Sequence, residues 1–175
     1  MPEQDWRPTY LADVRDNFSN QRSLAERALA QLHDDELFRT AGTESNSIAV
    51  LLKHVGGNLR SRWTEPFDTD GEKPDRNRDG EFEGQQDTAA DVRRSWDNGW
   101  SVLERTLHEL QPADLGRMLR IRGEQLTLIA ALNRSLAHTA HHVGQIVLLA
   151  KQWRDTEWET LSIPRKGRGP RAGQG

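Results

Sequence analysis

The chain has no cysteine among its 175 residues. That excludes disulfides, thiolate metal ligands and a cysteine nucleophile. Any metal must be held by imidazole, carboxylate or water, and any thiol chemistry must use a thiol that arrives with a substrate. Long apolar runs are missing too. No stretch approaches the roughly 18 consecutive apolar residues of a transmembrane helix, so no membrane partner is expected. The opening residues, MPEQDWRPTY, are polar and lack a signal-peptide pattern, which leads to the expectation of a cytoplasmic protein. Neither sign of charge predominates, with 24 basic and 27 acidic residues. A net charge of −3 gives no general attraction to nucleic acid. The basic cluster Arg165, Lys166, Arg168 and Arg171 is too small to reverse that.

Apolar residues make up only 34% of the chain, but they are strongly patterned. The length suits one domain with a core that needs no staples. A first helix is predicted over about Tyr10–Leu32, where Leu11, Val14, Phe18, Ala25, Ala28, Leu29 and Leu32 recur at three- and four-residue steps. A second, about Ser47–Glu65, carries Ile48, Leu51, Leu52, Val55, Leu59 and Trp63, with Asn46 or Ser47 as its cap. The third, about Thr88–Leu110, has the cleanest stripe, from Val92 through Trp96, Trp100, Leu103 and Leu107 to Leu110, and Pro112 follows its end. The fourth runs over about Thr127–Trp153.

Between helices two and three, residues 66–86 are rich in Gly, Pro, Asn and Asp and form a long loop. Loops of that length inside compact domains are usually functional or disordered. MLRIRGEQLTL, before helix four, reads as a short hairpin or a connector. The expected fold is all-α, a four-helix bundle over residues 1–160, followed by a flexible basic tail over 161–175.

The sharpest local feature is HTAHHVGQI, residues 138–146. At about 100° per residue, His138 and His142 lie about 40° apart on one helical face. Two imidazoles so placed can grip one ion, the same logic that makes HExxH a zinc motif. The helix's apolar stripe includes Leu132, Leu136, Val143, Ile146 and Val147. On a helical wheel His142 sits at one margin of this stripe and His138 just beside it, so both point toward a seam. His141 lies roughly 60–100° further out, toward solvent or a partner chain. Gln145, near the His138 side, could orient a ligand or a bound water. The plainer reading of the pair is two polar boundary residues.

On helix two, KHVGGNLRSR places His54 at the flank of the stripe and Asn58 one turn later. Gly56 and Gly57 each cost about 0.5–1 kcal/mol relative to alanine in a helix interior. Such a pair points to close helix approach, to a backbone surface left open for a ligand, or to a packing kink. His33 and His108 carry no such pattern and are expected at the surface.

Taken together, KHVGGNLRSRW, TDGEKPDRNRDGEFE, AHHVGQIVLLAK and TLSIPR resemble one branch of the DinB/YfiT-like superfamily of bacterial four-helix-bundle proteins, over most of residues 45–165. The resemblance implies a three-histidine site for a divalent ion, nickel or zinc or similar, completed by water. By motif position its ligands fall on His54, His138 and His142. It also implies a homodimer. Better-known relatives transfer low-molecular-weight thiols such as bacillithiol or mycothiol, or isomerise substrates with their help. Others are described only as metal-dependent hydrolases.

Three neutral imidazoles leave coordination positions open, as in catalytic sites. The ion can lower the pKa of bound water toward about 7, polarise a carbonyl, or activate an incoming thiolate. The expected function is thus a metal-dependent enzyme acting on a small molecule, a thiol S-transferase or a hydrolase. Asn58, His141 and Gln145 are candidate supporting or substrate contacts. The loop from Asp68 to Glu83 is a candidate wall or lid. Arg76 and Arg78 are either attractors of an anionic substrate or a solvated charge run. Glu72, Glu81 and Glu83 are candidate bases, and no catalytic group is assigned. The alternative is a non-enzymatic dimeric bundle with a structural or vestigial metal.

Overall fold

The computed structural model describes residues 5–83 and 87–163. The chain is mainly helical, with four long helices among the described residues: α1 (Arg7–Leu29), α2 (Ile48–Trp63), α3 (Ala89–Glu109) and α4 (Leu128–Arg154). Each lies within three residues of its expected ends, because the ends carry their own signals. Ser47, not Asn46, caps α2 by accepting the Val50 N–H. Thr88 and Asp91 form a capping box at α3. The Thr127 hydroxyl accepts the Ala130 N–H at the start of α4.

The apolar stripes close one core, in which Phe18, Leu52, Val55, Trp100, Leu103, Leu132 and Val143 are at most 1% exposed. Pairing is uneven. α2 packs most extensively on α3 and α1 on α4, while α2 and α4 meet over a smaller seam. The glycine pair explains the first contact. A Cβ on Gly56 would run into the Ser95 carbonyl of α3, and one on Gly99 would run into the Gly56 backbone. Only glycine at both positions lets the two backbones cross that closely.

The fold departs from the all-α expectation in one place. MLRIRGEQLTL forms an antiparallel hairpin, β1 (Met118–Ile121) and β2 (Glu124–Thr127), with Met118 opposite Thr127 and Ile121 opposite Glu124. Leu119 and Ile121 alternate inward. Arg122 and Gly123 make the two-residue turn at φ 55° and 79°. Positive φ at both positions is the type I′ pattern that matches strand twist. Gly123 supplies it freely, and Arg122 is held there from outside. The Asp70 carboxylate accepts the N–H groups of Arg122 and Gly123, both at 2.8 Å, and of Glu72 at 2.7 Å. These bonds, with Glu72 first, hold the Asp70 carboxyl below its usual pKa.

The loop after α2 is therefore not loose over its first part. Gly71 N–H donates to Arg120 O at 2.7 Å, and the Ser61 hydroxyl donates to Gly71 O at 2.8 Å. A short turn, Asp79–Glu81, then lays the loop against α2. Leu161, expected to open the tail, packs on the core and accepts a hydrogen bond from Arg27. The rest of the expected tail, from residue 164 and including the basic cluster, lies outside the described residues. No helix among the described residues is long and apolar enough to cross a membrane.

Candidate metal centre

α2 presents His54 and α4 presents His138 and His142 across their shared seam. One nitrogen from each ring lies within 4.8 Å of the others, a grouping that could hold a metal ion. The ring centroids are 4.6 to 5.1 Å apart. His54 is buried, and the other two are half-buried.

The hydrogen bonds behind the rings set the tautomers. His54 Nδ1 stands 3.0 Å from Glu81 Oε2. A carboxylate only accepts, so Nδ1 carries the proton and Nε2 carries the lone pair. A ligating histidine is typically held in this way by a carboxylate behind it. Glu81 is fixed in turn by Arg76, whose Nε and Nη2 each donate at 2.8 Å. Gly57 leaves the space for it, since a Cβ there would strike the Glu81 carboxylate. Burial opposes ionisation of Glu81, but the bonds from His54 and Arg76 outweigh it and keep the carboxyl below its usual pKa.

His142 Nδ1 donates to Gln145 Oε1 at 3.3 Å, which makes Nε2 its lone-pair nitrogen. The Gln145 amide donates on to His141 Nε2 at 2.8 Å. His138 Nδ1 is buried without a partner, and His138 Nε2 lies 3.1 Å from His54 Nε2. With the His54 proton committed to Glu81, only a proton or a cation can stand between those two nitrogens. Nitrogens bound to one ion at about 2.0–2.1 Å are roughly 2.8–3.4 Å apart for angles between 90° and tetrahedral, so the spacing of this pair fits a shared ion.

The electrostatics fit as well. Desolvation first, then the neighbouring His142 and His54, depress the His138 pKa to about 4. Desolvation likewise lowers that of His142, against the pull of Gln145. At neutral pH both rings are uncharged and offer lone pairs without giving up a proton, as metal binding requires.

The other candidates fall into distinct places. His141 is exposed, stands edge-on to the His142 ring at 5.1 Å between centroids, and accepts a hydrogen bond from Gln145. Asn58, half-buried, lines a cavity of about 190 Å³ that opens beside His54 and His138. The loop walls the site. Phe82 lies 5.1 Å from the His54 ring, and the Arg78 guanidinium sits 5.6 Å from the Phe82 ring.

Of the candidate bases, Glu81 is committed to His54 and Arg76. Glu72 is tied to Arg62 and Arg122. Glu83 is exposed. Arg76 is no solvated charge, since its side chain is 2% exposed. No spacing signal in the sequence joins Glu81 to His54. Gly57 was the one hint, as a residue that clears room for something.

A mainly helical fold with three converging imidazoles defines a helical protein able to hold a metal ion. Residues 5–167 match the family described as Protein of unknown function (DUF1572), and the chain belongs to that family. No curated protein and no solved structure matches the chain.

Proposed function

We propose that this protein is a divalent-metal-dependent enzyme with a four-helix bundle of the DinB/YfiT type over residues 1–160, and that it transfers a low-molecular-weight thiol. His54, His138 and His142 hold the ion, nickel or zinc, and the protein works as a cytoplasmic homodimer. The observation that carries this reading is the convergence of three imidazole nitrogens with a carboxylate behind His54. Among the described residues no fourth histidine or carboxylate joins the three, which leaves positions open, as catalytic sites require. Bound there, such an ion would supply Lewis-acid chemistry, favouring the ionised form of a nucleophile and polarising an electrophile.

The chain's own residues supply orientation and charge. Glu81 and Arg76 keep the His54 ring turned toward the centre, and Gln145 does the same for His142. Phe82 and the loop shield one side of the His54 ring. No free carboxylate stands against the histidines among the described residues, since the one that touches them, Glu81, is locked. This favours thiol transfer over hydrolysis. A thiol with a pKa of about 8.5 needs far less help to ionise than water at about 15.7.

The test is metal analysis of protein purified without an affinity tag, alongside His54→Ala and His142→Ala. Near-stoichiometric nickel or zinc in the parent and a large loss in both variants is the expected result. Parent protein that takes up no divalent ion at equimolar supply would overturn the reading. Thiol addition to an electrophilic arene, set against ester hydrolysis, then separates transferase from hydrolase.

A further inference from the structure

The cavity beside the histidines has an unusual lining. Trp63, Leu119, Ile121 and Ala131 make part of it apolar, while Arg62, Arg76, Arg78, Arg122 and Arg134 also face it, and among the described residues no carboxylate lines it. The acids behind these arginines are too few. Glu72 serves both Arg62 at 3.0 Å and Arg122 at 2.7 Å, and Glu81 serves Arg76. Arg78 has only Asp79 at 3.8 Å, with that side chain 90% exposed. Arg134 pairs with no acid among the described residues. The cavity therefore carries surplus positive charge within a partly desolvated wall, where charge acts more strongly than in water.

One atom points more directly at a ligand. The Arg76 side chain is 2% exposed, and its Nη1 is buried with no hydrogen-bond partner. Its nearest acidic oxygen, Glu72 Oε1, is 3.6 Å away, beyond hydrogen-bond reach. A buried guanidinium N–H left without an acceptor is costly, and such groups call for an explanation. Arg76 lines the cavity, so an anionic oxygen bound there would be the acceptor, and arginine forks suit carboxylate and phosphate oxygens alike.

We infer that this cavity binds a small organic oxyanion, a carboxylate or phosphate monoester with an apolar body. Its charged group lies on the arginine side, and the rest of the molecule runs toward the three histidines. This names the substrate class for the site proposed above, and it rests on that proposal only for which end of the molecule reacts. The size is bounded by the volume. An apolar cavity of about 150 Å³ admits benzene, so roughly 190 Å³ suits a body of one small ring or a short chain.

The test uses benzoate and phenyl phosphate as anionic probes and benzamide as the neutral counterpart of benzoate. Binding is measured by calorimetry at low salt, on metal-loaded and on chelator-treated protein. Benzoate or phenyl phosphate should bind at least about tenfold more tightly than benzamide, and which of the two binds better separates carboxylate from phosphate. Arg78→Gln and Arg134→Gln, both at exposed positions, should each weaken the anion by about two- to fivefold. Anions that bind no better than benzamide would overturn the inference. So would anion affinity that is unchanged when Arg78→Gln and Arg134→Gln are combined, or that vanishes on chelation alone. Because metal content is measured on the same samples, the two proposals fail separately. Metal without anion preference sinks this one, and arginine-dependent anion binding by a chain that takes no metal sinks the other.

Discussion

Replacing Gly57 with alanine should make α2 a better helix and the proposed metal site a worse one. Alanine gains about 0.8–1 kcal/mol over glycine in a helix interior. The new Cβ, however, would fall on the Glu81 carboxylate, with Cδ at 2.9 Å. The carboxylate can swing aside and keep Arg76, but not while it also holds His54 Nδ1. Losing that one bond costs about 1 kcal/mol, so the stability of the metal-free chain should stay within about 1 kcal/mol of the parent. Metal affinity should not. Removing the partner behind a ligating histidine typically costs 10- to 100-fold, or about 1.4–2.7 kcal/mol.

The adjacent Gly56→Ala serves as the contrast. Its Cβ meets backbone rather than a side-chain tip, which cannot yield, so this variant should lose about 1–3 kcal/mol or more of stability. Competition with a chromophoric chelator gives the affinities, and urea melts of metal-free protein give the stabilities. A Gly57→Ala chain that binds metal as tightly as the parent would refute the role of Glu81. A fall in affinity that merely tracks a fall in stability in both variants would reduce the pair to packing.

Other outcomes follow from the same geometry. For metal-free protein, His138 takes its proton at about pH 4 when folded and near 6.5 when unfolded. The unfolded chain therefore binds more protons between those values, and stability should fall as pH drops through that window. The loss by pH 4.5 should be about 1–2 kcal/mol after allowance for the half-exposed ring, and His138→Gln should flatten the dependence in denaturant melts. Asp70→Ala removes the acceptor of three backbone N–H groups and should cost about 1–3 kcal/mol; a change below about 0.5 kcal/mol in urea melts would show that the turn holds itself. His141→Ala should leave metal affinity within about threefold, as for a surface substitution, and a loss comparable to His142→Ala would make His141 a participant.

What could be read from the sequence divides along physical lines. The four helices were legible because their stripes and caps are local, as with Val92 to Leu110 and the Thr88–Asp91 box. The meeting of His138 and His142 was legible for the same reason, since four residues on a helix is a fixed angle. The contact of His54 with them was legible only through the resemblance, because nothing in either segment encodes the packing of α2 on α4. The Glu81–His54 bond, the burial of Arg76 and the triple grip of Asp70 depend on how residues 66–83 return over α2, and loop geometry carries no period. A hairpin and a connector look alike in the sequence there, because two four-residue strands are too short for alternation to decide.

α2 and α4 share a smaller contact than the other principal helix pairs, and the three histidines sit on that contact. A clasp at this small seam adds cohesion where packing between the two helices supplies little. An ion held at a hundredfold over its dissociation constant adds about 2.7 kcal/mol to the folded state, and here all of it would bear on the joint between positions 54 and 142. Trp63 spans the same joint through its hydrogen bond to Ser135 at 3.1 Å. Stripping the ion should therefore loosen the indole's surroundings before the α2–α3 half responds, so that the protein reports its own metal occupancy in its fluorescence.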